Sequence, residues 1–141
     1  MAIKMIRDVI RDTIDAEMER DDSVIMLGED IVGGHGAPGG PEAIGGIWGT
    51  SGGLWAKYGS DRVIDTPISE SAIIGAASGA ALTGKRAIAE IMFADFIGVC
   101  MDQIWNQAAK FRYMFGGKSK CPLVIRMPYG AGFNAAPQHS Q

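Results

Sequence analysis

An α/β fold, with a parallel sheet carrying helices on both faces, is what this sequence predicts. Three observations carry that expectation: short, continuously apolar runs suited to strands buried on two sides, helical periodicity between those runs, and glycines where the helices should stop. The 141 residues are enough for one such layered domain, which would bury roughly two thirds of the surface its unfolded chain exposes.

Ile3, Ile6, Val9, Ile10, Thr13, Ile14 and Met18 recur at helical spacing within 2–20, with charges on the opposite side, so the chain should open with an amphipathic helix. Val24-Ile25-Met26-Leu27 then predicts a buried strand. The stretch 28–53 is rich in glycine and proline and predicts a long loop, which in compact domains is usually functional or disordered. A short helix over 51–58 should be closed by Gly59, and a second strand is expected over 62–65, ended by Thr66-Pro67. Ser69 predicts the N-cap of a helix over 70–83 that Gly84 stops. Small residues at Gly75, Ala76, Ser78, Gly79 and Ala80 suit close packing of that helix. A third strand over 86–91, a long helix over 97–113 and a fourth strand over 123–126 complete the alternation. Residues 130–141 are turn-rich and lack a closing element, which predicts a fragment of a longer protein.

Composition excludes several classes of function. With 13 basic and 16 acidic residues the formal charge is −3, and no basic stripe suits a nucleic acid. No apolar run approaches the ~18 residues of a membrane span, and the charged first residues do not read as a signal peptide. Cys100 and Cys121 form neither a CxxC pair nor a disulfide framework, so a reducing cytoplasm is the expected location. Cys100, inside an expected helix, reads as a buried thiol rather than a nucleophile. His35 and His139 are the only histidines and share no metal-ligand spacing with a thiol, so no metal site is expected.

Two phosphate-loop patterns fail on context. The GxGxxG match at 34–39 is followed by prolines where its helix should begin. The run 79–86 nearly spells a P-loop but has Arg86 where a hydroxyl belongs, and it leads from helix to strand instead of strand to helix. Acids remain. Glu70 falls in the first turn of a helix that follows a strand, at the carboxyl edge where open α/β sheets bind ligands. An acid there either serves a ligand or complements the helix dipole. Glu29, after the first strand, admits the same two readings. Phe93 and Phe96 follow the third strand at that edge, as packing or as a surface for a flat heteroaromatic ligand.

Four segments add a resemblance: Asp65-Thr66-Pro67-Ile68-Ser69-Glu70, the run 89–96, the run 102–110, and Gln138-His139-Ser140-Gln141. In that order they resemble the β subunits of thiamine diphosphate-dependent 2-oxo acid dehydrogenases, a family with pyruvate, branched-chain and acetoin branches. Runs 111–118 and 28–49 look most similar to the acetoin branch. The resemblance implies a transketolase-type pyrimidine-binding domain over 1–141, the amino-terminal half of a longer subunit whose carboxyl-terminal domain is absent. It implies that Glu70 is the glutamate hydrogen-bonded to the pyrimidine ring nitrogen of thiamine diphosphate. Phe96 would be the aromatic residue against that ring, Glu29 an acid near it, and His139 the histidine at the reacting end. It further implies a cognate α subunit in a heterotetramer, which holds the diphosphate and its magnesium, and a lipoyl acyltransferase core that accepts the two-carbon unit. A non-catalytic α/β assembly module, using the small residues of 75–81 against a partner, is the alternative of another class.

Overall fold

The computed structural model describes residues 3–33, 45–130, 132, 134–135 and 137–140. The glycine pattern at 34–39, much of the expected 28–53 loop and His35 lie outside the described residues. The order is α1 (Ile6–Arg20), β1 (Val24–Glu29), α2 (Leu54–Tyr58), β2 (Val63–Thr66), α3 (Glu70–Leu82) and β3 (Arg86–Glu90). A 3₁₀ turn (Ala94–Gly98), a π-helical segment (Asp102–Ala108), α4 (Phe111–Met114) and β4 (Leu123–Arg126) follow. The four strands form one parallel sheet in the order β2-β1-β3-β4.

Side-chain alternation along the strands explains the two layers. Ile25, Leu27, Ala87 and Ala89 face one side, where Ile73, Ile74 and Ala77 of α3 cover them. Val24, Met26 and Val63 face the other, against Ile14 and Met18 of α1 and Leu54 of α2. Both faces are therefore apolar, which is why the strands read as unbroken hydrophobic runs. Among the described residues no helix is long and apolar enough to cross a membrane.

Four local expectations change. The apolar face of α1 is only half covered: Ile14 and Met18 are buried, whereas Ile3, Ile6 and Val9 are exposed. Val9 and Ile10 instead border an open groove of about 370 Å³ with Ile88 and Val124. Ser69 precedes α3 but does not cap it, because its hydroxyl donates to Pro67 O at 2.9 Å. Close packing of α3 uses Ala77, Ser78 and Ala81, all buried, while Ala76 and Gly79 are exposed. That follows from the helical face set by Ile73 and Ile74.

The helix expected over 97–113 is broken into the 3₁₀, π and α pieces. Phe96, Cys100 and Ile104 all turn toward the core, a spacing of four, while a straight α-helix turns once every 3.6 residues. Uneven winding keeps them on one face, and the i→i+5 bond from Ala109 N to Ile104 O, 3.0 Å, marks the wide part. Elsewhere the helix ends fall where expected: Gly59 (φ +76°) and Gly84 (φ +103°) take the left-handed conformation that glycine tolerates. α3 ends at Leu82 before β3 begins at Arg86, the polarity opposite to a phosphate loop.

Candidate functional site

Register places the strand ends at one level. Gly28 lies beside Asp65 on one side and Glu90 on the other, and Glu90 lies beside Arg126. The chain leaves β1 through Asp30, whose φ of +49° turns it sharply. Asp65 fixes that turn: one carboxylate oxygen accepts the amides of Ile31 at 2.7 Å and Val32 at 3.2 Å. Glu29 is thereby held at the edge. Burial pushes its carboxyl up from the ordinary value, and the negative charges of Asp30, Glu70 and Asp65 push in the same direction.

Glu70 is the first residue of α3 and is only 8% exposed. Among the described residues no hydrogen bond reaches its carboxylate, and its oxygens are not among the enclosed unpartnered polar atoms, so the acid keeps an opening at the edge. Its charge is felt at Glu29 and at Cys100. Ser71 in the same turn donates to Val99 O at 2.7 Å, tying the start of α3 to the helical turn that carries Phe96. Cys100 is fully buried, with Sγ 3.5 Å from Ile97 O and 3.7 Å from Phe96 O. Burial raises its thiol above the ordinary value, as for a structural cysteine.

Aromatic rings gather after β3. Phe93 stands 5.7 Å from Phe96 and 4.3 Å from His139, and Phe96 stands 5.6 Å from His139. Trp48 meets Phe93 edge-on at 5.3 Å. These are favourable tilted and edge-to-face geometries. His139 Nδ1 lies 3.1 Å from Ala135 O. A carbonyl only accepts, so this contact requires the proton on Nδ1 and leaves Nε2 to exchange one.

The structure thus brings Phe96 and His139 into ring contact and sets Glu29 within electrostatic reach of Glu70. It also supplies residues that the sequence reading passed over. Trp48 falls in the stretch expected as a loop, and Asp65 in the first resembling segment without a role of its own. Glu90, buried and joined to Arg126 and Thr50, had a legible signal: an acid inside the apolar run of β3, matched by a base at the end of β4.

Acid and aromatic groups lie where the parallel strands end, the edge at which open α/β sheets bind their ligands. The chain belongs to the family described as "Transketolase, pyrimidine binding domain", which residues 3–141 match. It is 65% identical over 142 residues to the acetoin:2,6-dichlorophenolindophenol oxidoreductase subunit beta of Cupriavidus necator, covering 100% of this chain and 42% of the relative. The subunit of the same name from Bacillus subtilis is 52% identical over 95% of the chain and 40% of its own length. The mitochondrial pyruvate dehydrogenase E1 component subunit beta of Homo sapiens is 45% identical over 96% of the chain and 35% of its own length. The chain therefore spans 35–42% of the length of these relatives.

Proposed function

We propose that this chain is the pyrimidine-binding part of the β subunit of a thiamine diphosphate-dependent dehydrogenase that cleaves acetoin and passes the two-carbon unit to lipoamide. One observation carries the reading: Glu70, 8% exposed and without a hydrogen bond from the described residues, opens the turn that Ser71 ties to Val99, just after Phe96 of the Phe93–Phe96–His139 cluster. That pairing fits the pyrimidine end of the cofactor, a flat ring needing an apolar wall and one carboxyl at its edge. Thiamine diphosphate, held there by Glu70 and Phe96, would supply a carbon acid for carbonyl chemistry, with its own aminopyrimidine as the base.

This chain's residues prepare that chemistry. Glu70 holds and exchanges a proton at the pyrimidine ring nitrogen, the acid–base role of a positioned carboxyl. Phe96 provides an apolar ring surface, and the rings together exclude water from it. Glu29 adds a second carboxyl at this edge, its own pKa raised by burial and by its negative neighbours. His139 offers Nε2 as a proton carrier at the reacting end. We assign the diphosphate and magnesium to a cognate α subunit in a heterotetramer, the acceptor to a lipoyl acyltransferase core, and the location to the cytoplasm. Residues 1–141 form the pyrimidine-binding domain, and a second domain completes the subunit.

Acetoin is favoured over a 2-oxo acid by two facts. Identity is 65% and 52% to relatives named for acetoin, against 45% to one named for pyruvate. Arg126, the base that ends β4, commits its Nη1 to Glu90 and Thr50, which holds the guanidinium on the chain's own acid.

The test is dye reduction by the full-length subunit assembled with its α partner, with magnesium and thiamine diphosphate. Acetoin, pyruvate and branched-chain 2-oxo acids are offered separately. Acetoin should turn over fastest, and Glu70→Gln should lower kcat by about 10²–10⁴-fold. Faster turnover of a 2-oxo acid would move the protein to that branch. Near-normal activity of Glu70→Gln would end the assignment of Glu70, and partner binding without turnover of any substrate would leave an assembly module.

A further inference from the structure

Glu90 is buried, its side chain 4% exposed, and pairs with Arg126 from the neighbouring strand. Thr50 closes the group: it accepts from Arg126 Nη1 at 3.1 Å and donates to Glu90 at 3.3 Å. Room for the acid comes from Gly28, where an added Cβ would lie 2.8 Å from Glu90 O and 3.0 Å from Glu90 Cβ. Burying an ion pair is weak evidence for stability, because an apolar pair of similar volume usually serves as well or better. A use in positioning explains it better.

Thr50 belongs to a turn that has little freedom of its own. Ser51, fully buried beside it, donates to Ile31 O and to Gly45 O, the latter at 2.8 Å. Gly45 (φ +79°) is wound so tightly that a Cβ there would meet Gly52 N at 1.9 Å. Trp48 rides on this turn, two residues before Thr50, and meets Phe93 edge-on.

We propose that Glu90, Arg126 and Thr50 form a positioning unit that anchors the turn 45–53 to the ends of β3 and β4 and so sets Trp48 against Phe93, completing the aromatic wall of the pyrimidine site. The unit acts through Trp48 and does not touch the reacting atoms. This inference rests on the functional reading above for the identity of the ligand, but not for the anchoring itself.

The experiment uses the full-length subunit with its partner and compares Thr50→Val, Thr50→Ser, Trp48→Ala and the double variant Thr50→Val/Trp48→Ala. Thr50→Val keeps the Glu90–Arg126 pair and removes only its tie to the turn, so the sheet should remain intact. Amide hydrogen exchange over 45–53 should quicken by about tenfold in Thr50→Val and return to normal in Thr50→Ser, with α3 and β1 unchanged. The Kd for thiamine diphosphate should rise by about tenfold in Thr50→Val and in Trp48→Ala. The double variant should be no worse than Trp48→Ala, since both changes remove one effect. Unchanged exchange in the turn overturns the anchoring. Additive losses of affinity, or a loosened turn with normal affinity, overturn the action through Trp48. A wild-type assembly that binds no thiamine diphosphate overturns the functional reading, while quickened exchange in Thr50→Val still supports the anchoring.

Discussion

At the amino-terminal end of the sheet Arg62 donates to Met18 O, Asp21 O and Val24 O at 2.7–3.1 Å, with its guanidinium 4.8 Å from the ring of Tyr58. Nearby, Asp15 accepts from Lys57 at 2.7 Å and from the Tyr58 hydroxyl at 2.6 Å. At the carboxyl end Asp65 and Glu90 are held by the chain's own donors, whereas Glu29 and Glu70 have no such hydrogen bond among the described residues. Glu29 is raised by burial and by its negative neighbours, and Glu70 is buried. One end uses charge to close the chain's own carbonyls. The other holds charge in a form that a ligand can complete, the arrangement expected where stability is given up for binding.

Four substitutions would break or sharpen that contrast. Arg62→Ala should cost the most stability, about 3 kcal/mol in urea unfolding, because several carbonyls lose a charged donor at once. A loss below ~1 kcal/mol would reduce the amino-terminal network to an ordinary surface pair. Gly28→Ala should cost about 2 kcal/mol, since backbone and Cβ atoms of Glu90 stand where the new methyl must go. An unchanged urea midpoint would show that the strand ends can part.

Asp15→Asn should cost under ~1 kcal/mol at neutral pH, and the pH dependence is the sharper readout. Hydrogen bonds from Lys57 and Tyr58 hold the Asp15 carboxyl below its ordinary 3.8. Its contribution is therefore present above that value and lost as pH falls through the lowered folded one. Glu29→Gln should show the opposite sign and the smallest effect. Its folded value lies above the ordinary 4.5, so its relative stabilisation is present below 4.5 and lost as pH rises through the raised value. Glu29→Gln should thus match the parent near pH 4 and be slightly more stable near pH 8. Parallel pH profiles for the two variants would erase the distinction between the ends.

Much of the fold was legible because burial on both faces leaves a plain signal. β1 and β3 are apolar runs, and α3 ends where Gly84 takes a positive φ. The broken 97–113 helix was not legible, since its winding depends on how Phe96, Cys100 and Ile104 meet α3 and the sheet. The exposed half of the α1 face escaped for a similar reason: periodicity marks an apolar stripe but not what covers it. Glu70, Phe96, His139 and Glu29 were reached through motif and edge position; the structure puts Phe96 and His139 in ring contact and Glu29 within reach of the charge of Glu70. Trp48 could not be reached that way, because its place depends on Thr50 meeting strands 40 and 76 residues away.

The central place of β1 has a consequence for how the chain is made. Its partners are later in the sequence, Val24 lying opposite Arg86 and Met26 opposite Val63. At a ribosomal rate of roughly 5–20 residues per second, about 3–12 s separate the synthesis of β1 from that of β3. Through that interval the most apolar strand of the protein lacks one edge partner, and pairings this distant are slow to form. Production in the cell should accordingly be limited by the protection of nascent β1 from other chains, and a slower, cooler expression should raise the folded yield.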